Sequence, residues 1–149
     1  MSEFSLSDAV LDTAEPFKAV AQAKDKKLEI NVDEGISYVG DEKAIRQLIS
    51  ILLDNAMKYS ESSISITLKT SGRNRMITVW NTVDESANIK KGRQDILFER
   101  FYRADPSHNS KTGGFGIGLS AAYAIVRAHK GKISARSEDG RSIEFMIVL

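Results

Sequence analysis

The run Gly113-Gly114-Phe115-Gly116-Ile117-Gly118-Leu119-Ser120 opens directly onto an apolar helical pattern from Ala121 to His129, and no other stretch narrows the folds open to this chain as far. Glycine has no Cβ, so its backbone can press against phosphate oxygens, and a helix N-terminus offers them free N–H groups and partial positive charge. From these residues alone the run reads either as a phosphate cradle or as a flexible hinge ahead of a helix. Its spacing, G-G-x-G-x-G, argues against the two commonest nucleotide folds. The dinucleotide fingerprint G-x-G-x-x-G needs glycine where Leu119 stands, and the G-x-x-x-x-G-K-[ST] phosphate loop occurs nowhere in the chain.

A second motif runs Leu48-Ile49-Ser50-Ile51-Leu52-Leu53-Asp54-Asn55-Ala56-Met57-Lys58-Tyr59-Ser60. Ile45, Leu48, Ile49, Leu52 and Ala56 recur at helical spacing, which predicts an amphipathic helix with Asp41 as its N-cap. Asn55, Lys58 and Tyr59 stand at i, i+3 and i+4 and share one face near the edge of the apolar stripe. A neutral amide oxygen is a good inner ligand for Mg²⁺ beside a phosphate chain, and a lysine can serve the same phosphates as a point charge. The same residues also fit an ordinary surface helix, with an Asp54–Lys58 ion pair at i,i+4 and a solvated Asn55.

Together the two motifs resemble the N box and the G2 box of the gyrase, chaperone, histidine-kinase and mismatch-repair ATP-binding superfamily. Between them, Leu97-Phe98-Glu99-Arg100-Phe101-Tyr102-Arg103 is similar to the F box of sensor histidine kinases. The resemblance covers about Phe4 to Leu149, with the boxes in the family's order. It implies an α+β fold: a two-layer α/β sandwich of the Bergerat ATP-binding type, with a mixed, mostly antiparallel sheet and helices on one face. Residues 1–149 would be one domain, with an ATP lid at about 82–114. It further implies an enzyme, the catalytic and ATP-binding domain of a two-component sensor histidine kinase. Such a domain donates the γ-phosphoryl group of ATP to a histidine on a separate dimerisation domain, with a response regulator downstream.

By the same resemblance the cofactors are ATP and Mg²⁺, with Asn55 holding the metal. Lys58, Tyr59, Asn81, Lys111 and the stretch Gly114, Phe115, Gly116, Ile117, Gly118 and Leu119 contact the nucleotide. Arg100 and Arg103 approach its phosphates or the phosphoacceptor domain, where charge neutralises that developing during transfer. A cytoplasmic location follows, as the cytoplasmic part of a membrane-anchored sensor, with the isolated domain a monomer and without direct membrane contact. Two other functions stay open: an ATPase or serine kinase of the same superfamily, and a non-catalytic interaction module on a nucleotide fold.

Two positions depart from the family's pattern. The G1 box, D-x-G-x-G, does not occur, and the aligned stretch reads Asn81-Thr82-Val83-Asp84-Glu85-Ser86. The side-chain oxygen of Asn81 can accept a hydrogen bond from an adenine amino group without a charge, or Asn81 can be a plain strand-end turn residue. The other departure is Ile51, one turn before Asn55, where hydrolysing relatives carry a glutamate that activates water. Ile51 cannot be a general base, and Asp54 points about 100° around the helix from Asn55. Hydrolysis by this domain alone is therefore expected to be slow, with catalysis chiefly a matter of positioning.

The rest of the chain agrees with one soluble domain. With 42% apolar and 28% charged residues in 149, it has the composition of an ordinary globular fold. A net charge of +1 gives no nucleic-acid footprint, and the absence of cysteine excludes disulfides and thiolate metal sites. The apolar runs are too short to span a bilayer, and the polar, acidic opening Met1 to Val10 is no secretory signal. Phe4 to Leu6 reads as a short strand, followed by a helix capped by Ser7 or Asp8 and running to about Ala23 across Pro16. Strands are expected at Leu28–Val32 and Ile36–Val39. Two hairpins follow: Ile64–Leu68 with Met76–Val83, then Lys132–Ser137 with Ser142–Leu149 around Asp139-Gly140. The stretch Thr82 to Thr112 mixes charges with turn formers and fits regular structure least. Neither His108 nor His129 sits in a phosphoacceptor-like sequence, and His129 reads as a helix C-terminal residue.

Overall fold

Alternation of apolar and polar residues gives each strand one greasy face, and burying those faces dictates the architecture. A computed structural model describes residues 1–84, 91–93 and 116–149. In chain order its elements are β1 (Ser2–Ser5), α1 (Leu6–Ala14), α2 (Phe17–Ala23), β2 (Lys27–Val32), β3 (Ser37–Gly40) and α3 (Glu42–Tyr59). They continue with β4 (Ser63–Ser71), β5 (Asn74–Thr82), β6 (Gly92–Arg93), α4 (Gly116–Ala128), β7 (Lys132–Ser137) and β8 (Ser142–Val148). Six strands form one sheet in the order β2-β4-β5-β8-β7-β6, in which only β2 and β4 run parallel. The expected mixed, mostly antiparallel sheet is what forms.

The register turns the alternation into three apolar rows across the sheet. Ile30, Ile66, Val79, Phe145 and Ala135 line up in one, and Val32, Leu68, Ile77, Ile147 and Ile133 in the next. The third reads Leu28, Ile64, Asn81, Ile143, with one polar residue set among the hydrocarbons. Helices cover these rows on one face. From α3 come Ile45, Leu48, Ile49, Leu52 and Leu53, and from α4 come Leu119, Ala122 and Val126, all buried. Asp41 caps α3 as the sequence predicts, its Oδ1 accepting the Ala44 N–H at 3.1 Å.

The N-terminal helix differs from expectation in two ways. Its cap is Ser5, whose Oγ accepts the Asp8 N–H at 3.1 Å, and Leu6 starts the helix instead of ending a strand. Ser7 is unavailable for capping because its hydroxyl donates to Asp33 O at 2.6 Å and accepts the Ile36 N–H at 3.0 Å. The second difference is a break at Pro16, which separates α1 from α2 because proline has no N–H to continue the ladder. β1 pairs with β3 in a small antiparallel sheet of its own. Within the stretch expected to resist regular structure, Gly92–Arg93 adds a short edge strand against β7. Among the described residues no helix is long and apolar enough to cross a membrane.

Phe145, 1% exposed in the central row, tests this core. Phe145→Ala is expected to lower stability by about 3–5 kcal/mol, read from the shift of the urea midpoint by circular dichroism. A loss below about 1 kcal/mol would mean that the row is not packed as described.

Candidate functional site at the end of two antiparallel helices

Two contacts set α3 and α4 side by side. A Cβ built on Gly118 would lie 3.5 Å from Ile51 Cγ2, so α4 rests on α3 there. At the far end, His129, just past α4, accepts the Asp41 N–H on its Nε2 at 3.1 Å. The helices are therefore antiparallel. Because α4 begins two residues before Gly118 and each residue rises about 1.5 Å, its start comes level with Leu53, about 3 Å short of Asn55 along α3. The N–H groups of its first turn, which point out of that end, thus face towards the region of the Asn55 amide.

Buried polar side chains gather at this end of the molecule. Among the described residues they are Asn55, Ser60, Asn81, Ser137 and Ser142, with Ser7 alone elsewhere. Ser137 and Ser142 serve the last hairpin: Ser137 Oγ accepts the Gly140 N–H at 2.9 Å and Ser142 Oγ donates to Asp139 Oδ1 at 2.9 Å. Asn55 is 8% exposed and makes no side-chain hydrogen bond with another described residue. Asn81, 1% exposed, donates through Nδ2 to Thr82 O at 2.8 Å, and the other end of its amide is an acceptor oxygen.

Ser60 was given no role by the sequence. Its Oγ is buried without a hydrogen-bond partner, a polar atom the fold leaves to a ligand or to solvent. The only signal in the sequence is a hydroxyl directly after the helix end. Its surroundings are well tied down. Thr82 O accepts the Glu61 N–H at 3.0 Å, and Thr82 Oγ1 accepts the N–H groups of Ser62 at 3.0 Å and Ser63 at 3.1 Å. Lys26 Nζ donates to Met57 O at 2.7 Å, placing a cation on the last carbonyls of α3, where the helix dipole favours it. The exit of α3 is therefore stapled to the residue that follows Asn81.

The other residues singled out in the sequence fall as follows. Lys58 Nζ lies 3.2 Å from Asp54 Oδ2 with both side chains 58% exposed, so the i,i+4 pair is made. Such a pair is worth only about 0.3–0.5 kcal/mol and opens readily. Burial pushes the Tyr59 phenol above its ordinary pKa, so it remains protonated at neutral pH. Gly116, Ile117, Gly118 and Leu119 form the first turn of α4, with Leu119 fully buried. Arg100, Arg103, Lys111, Gly114 and Phe115 lie outside the described residues.

Residues 40–149 match the family model of histidine kinase-, DNA gyrase B-, and HSP90-like ATPases. The chain belongs to this family. Its relatives include the sensor protein DltS of Streptococcus agalactiae, 40% identical over 124 residues that cover 82% of this chain and 30% of that protein. Another is the sensor histidine kinase RppB of Synechocystis, 34% identical over 147 residues, or 97% of this chain and 32% of that one. The chain thus spans about a third or less of the length of these curated relatives. In fold it is similar to the catalytic domain of histidine kinase ThkA, with a TM-score of 0.78 at 22% identity, covering 99% of this chain and 93% of that one. The chain is thus a member of an ATPase family among whose relatives are sensor histidine kinases, and it has the fold of a histidine kinase catalytic domain.

Removing the orphaned hydroxyl should relieve the free domain. Ser60→Ala is expected to leave stability unchanged or raise it by about 1 kcal/mol in urea denaturation. A loss of similar size would show that the hydroxyl is satisfied in solution and is no vacant recognition group.

Proposed function

We propose that this domain binds ATP with a divalent cation where α3 ends and α4 begins, and presents the γ-phosphoryl group to a histidine on a separate dimerisation domain. The observation that carries the proposal is the antiparallel register that sets Asn55 about two residues beyond the start of α4, on the side towards which the N–H groups of its first turn point. The residues present fit the group. Neutral amides, a helix N-terminus and an unpartnered buried hydroxyl suit a polyphosphate nucleotide with its metal. Asn55 Oδ1 is the side-chain ligand for Mg²⁺, and bound Mg²⁺ supplies charge neutralisation on the phosphates.

On this reading the N–H groups of Gly116, Ile117, Gly118 and Leu119 hold phosphate oxygens, joined by Gly114 and Phe115. Asn81 Oδ1 accepts from the adenine amino group, replacing the aspartate of the G1 box with a neutral acceptor. Tyr59 borders the nucleotide, and Lys58 exchanges its exposed partner Asp54 for phosphate charge at little cost. Arg100, Arg103 and Lys111 bring further positive charge from the lid, about residues 82–114. The domain, taken as 1–149, would sit in the cytoplasm within a membrane-anchored sensor, with a response regulator downstream.

Among the described residues no carboxylate stands where the water-activating glutamate of hydrolysing relatives would be. Ile51 occupies the corresponding position and packs within 3.5 Å of where a Gly118 side chain would begin, so the spot is filled by hydrocarbon. This disfavours an ATPase. Asn81-Thr82-Val83 in place of the glycine-rich G1 box favours a second reading, an interaction module without nucleotide.

Calorimetric titration with Mg-ADP and a non-hydrolysable ATP analogue separates the readings. The wild type is expected to bind in the range of about 1 μM to 1 mM, and Asn55→Ala to lose at least about tenfold. No heat at any concentration would leave the interaction module standing. Incubation with Mg-ATP labelled in the γ-phosphate and a relative's dimerisation domain should place label on that domain's histidine. Free phosphate released by this chain alone, abolished by Asn55→Ala, would instead point to an ATPase.

A further inference from the structure

We infer that His129 is a positioning residue for the nucleotide site, a neutral clasp that fixes the register of α4 on α3; the inference rests on the nucleotide-binding reading above. The ring makes two directed bonds. Its Nδ1 lies 2.8 Å from Ile125 O, and since a carbonyl oxygen only accepts, Nδ1 carries the hydrogen. Its Nε2 is then the acceptor for the Asp41 N–H at 3.1 Å. Only the neutral Nδ1–H tautomer can do both. Asp41 is no incidental partner, because its Oδ1 accepts from Ala44 N–H and its carbonyl from Ile45 N–H at 3.0 Å. The ring at the end of one helix therefore grips the residue that starts the other.

The half-buried ring is packed by Tyr38 and Gly40. Tyr38 lies against it with centroids 6.0 Å apart, and a Cβ on Gly40 would come within 2.6 Å of Tyr38 Cε2 and 2.9 Å of His129 Cδ2. Glycine at 40 is what lets the two rings close. Tyr38 is held in turn by the Arg75 guanidinium 5.3 Å from its ring centroid, and Arg75 Nε donates to Ser37 O at 2.6 Å.

Geometry carries this to the site. The clasp joins 129 to 41 and the helix contact joins 118 to 51, so the two anchor points are eleven residues apart on one side and ten on the other. At about 1.5 Å per residue these spans nearly match, and two pins at matched spacing fix the sliding position of one helix on the other. A slip of one residue would carry the N-terminus of α4 about 1.5 Å along α3 relative to Asn55.

A proton on Nε2 would turn the acceptor into a donor facing an N–H and open the clasp. Among the described residues, the charged or titratable groups beside it are Asp41, the Tyr38 phenol, Lys130 as the next residue in the chain and, beyond Tyr38, Arg75. Acid that protonates the ring should therefore loosen nucleotide binding.

The test compares Mg-ADP affinity of the whole chain between pH 7.5 and 5.5 for the wild type, His129→Gln, His129→Phe and Gly40→Ala, with folding followed by circular dichroism. Glutamine can donate and accept without titrating, so its profile is the baseline for the nucleotide's own phosphate titration. The wild type is expected to match His129→Gln at pH 7.5 and to fall about three- to tenfold below it at pH 5.5. His129→Phe and Gly40→Ala should bind weakly at both. In nitrogen-15 NMR without nucleotide, the wild-type ring should show the Nδ1–H tautomer at pH 7.5. An Nε2–H tautomer, a wild-type profile parallel to that of His129→Gln, or full affinity in a folded His129→Phe would overturn the role of His129. A wild type that binds no nucleotide at any pH would overturn the nucleotide reading instead, and this role with it.

Discussion

The packing of α3 against α4 is the contact on which the candidate site depends. Neither helix carries a site alone: α3 brings an amide, a lysine and a tyrosine, and α4 brings a helix N-terminus. Antiparallel packing puts the end of one beside the start of the other, and the approach at Gly118 is close because no side chain intervenes. The three apolar rows of the sheet give both helices a common floor. What positions the candidate site is therefore apolar burial, and what tunes it is a handful of polar atoms placed where that burial stops.

Those polar atoms come at a cost that the fold limits by local pairing. Thr82 alone accepts from three successive N–H groups, and Asn81 spends one end of its amide on the backbone next to it. Buried polar groups without partners are expensive, so a fold keeps few of them. Ser60 Oγ is the one such side-chain atom among the described residues that is wholly shut off from solvent. That it lies at the end of α3 and not in the centre of the sheet is consistent with a boundary where protein contacts give way to a ligand.

Much of this was legible in the sequence because it is periodic or local. Strand alternation at Ile64, Ile66 and Leu68, the cap at Asp41 and the turn at Asp139-Gly140 each depend on neighbours a few residues away, and each appears where expected. The failures share a different cause. Ser7 resembles a cap, yet bonds made with residues 26 and 29 positions away claim its hydroxyl. His129 stands at a helix end as expected, but its bond to Asp41 spans 88 positions and leaves no periodic trace. Ser60 and the Asn81 row became informative only when the register showed that they are buried. The Asp54–Lys58 pair was foreseen as an alternative to phosphate binding, and exposure makes the two compatible in sequence and in energy.

The single parallel pairing in the sheet bears on how the molecule assembles. Every residue of β2 is paired with one 36 positions later in β4, and the chain between them contains β3 and all of α3. A parallel pair cannot be closed by a turn, so this edge of the sheet forms only when the intervening helix has crossed over and docked. Contacts of such long range make the entropy of loop closure fall due before any stabilisation arrives, which slows folding. The helix that carries Asn55 is thus a connector that the sheet needs in order to close, and the site cannot melt away while leaving that edge intact.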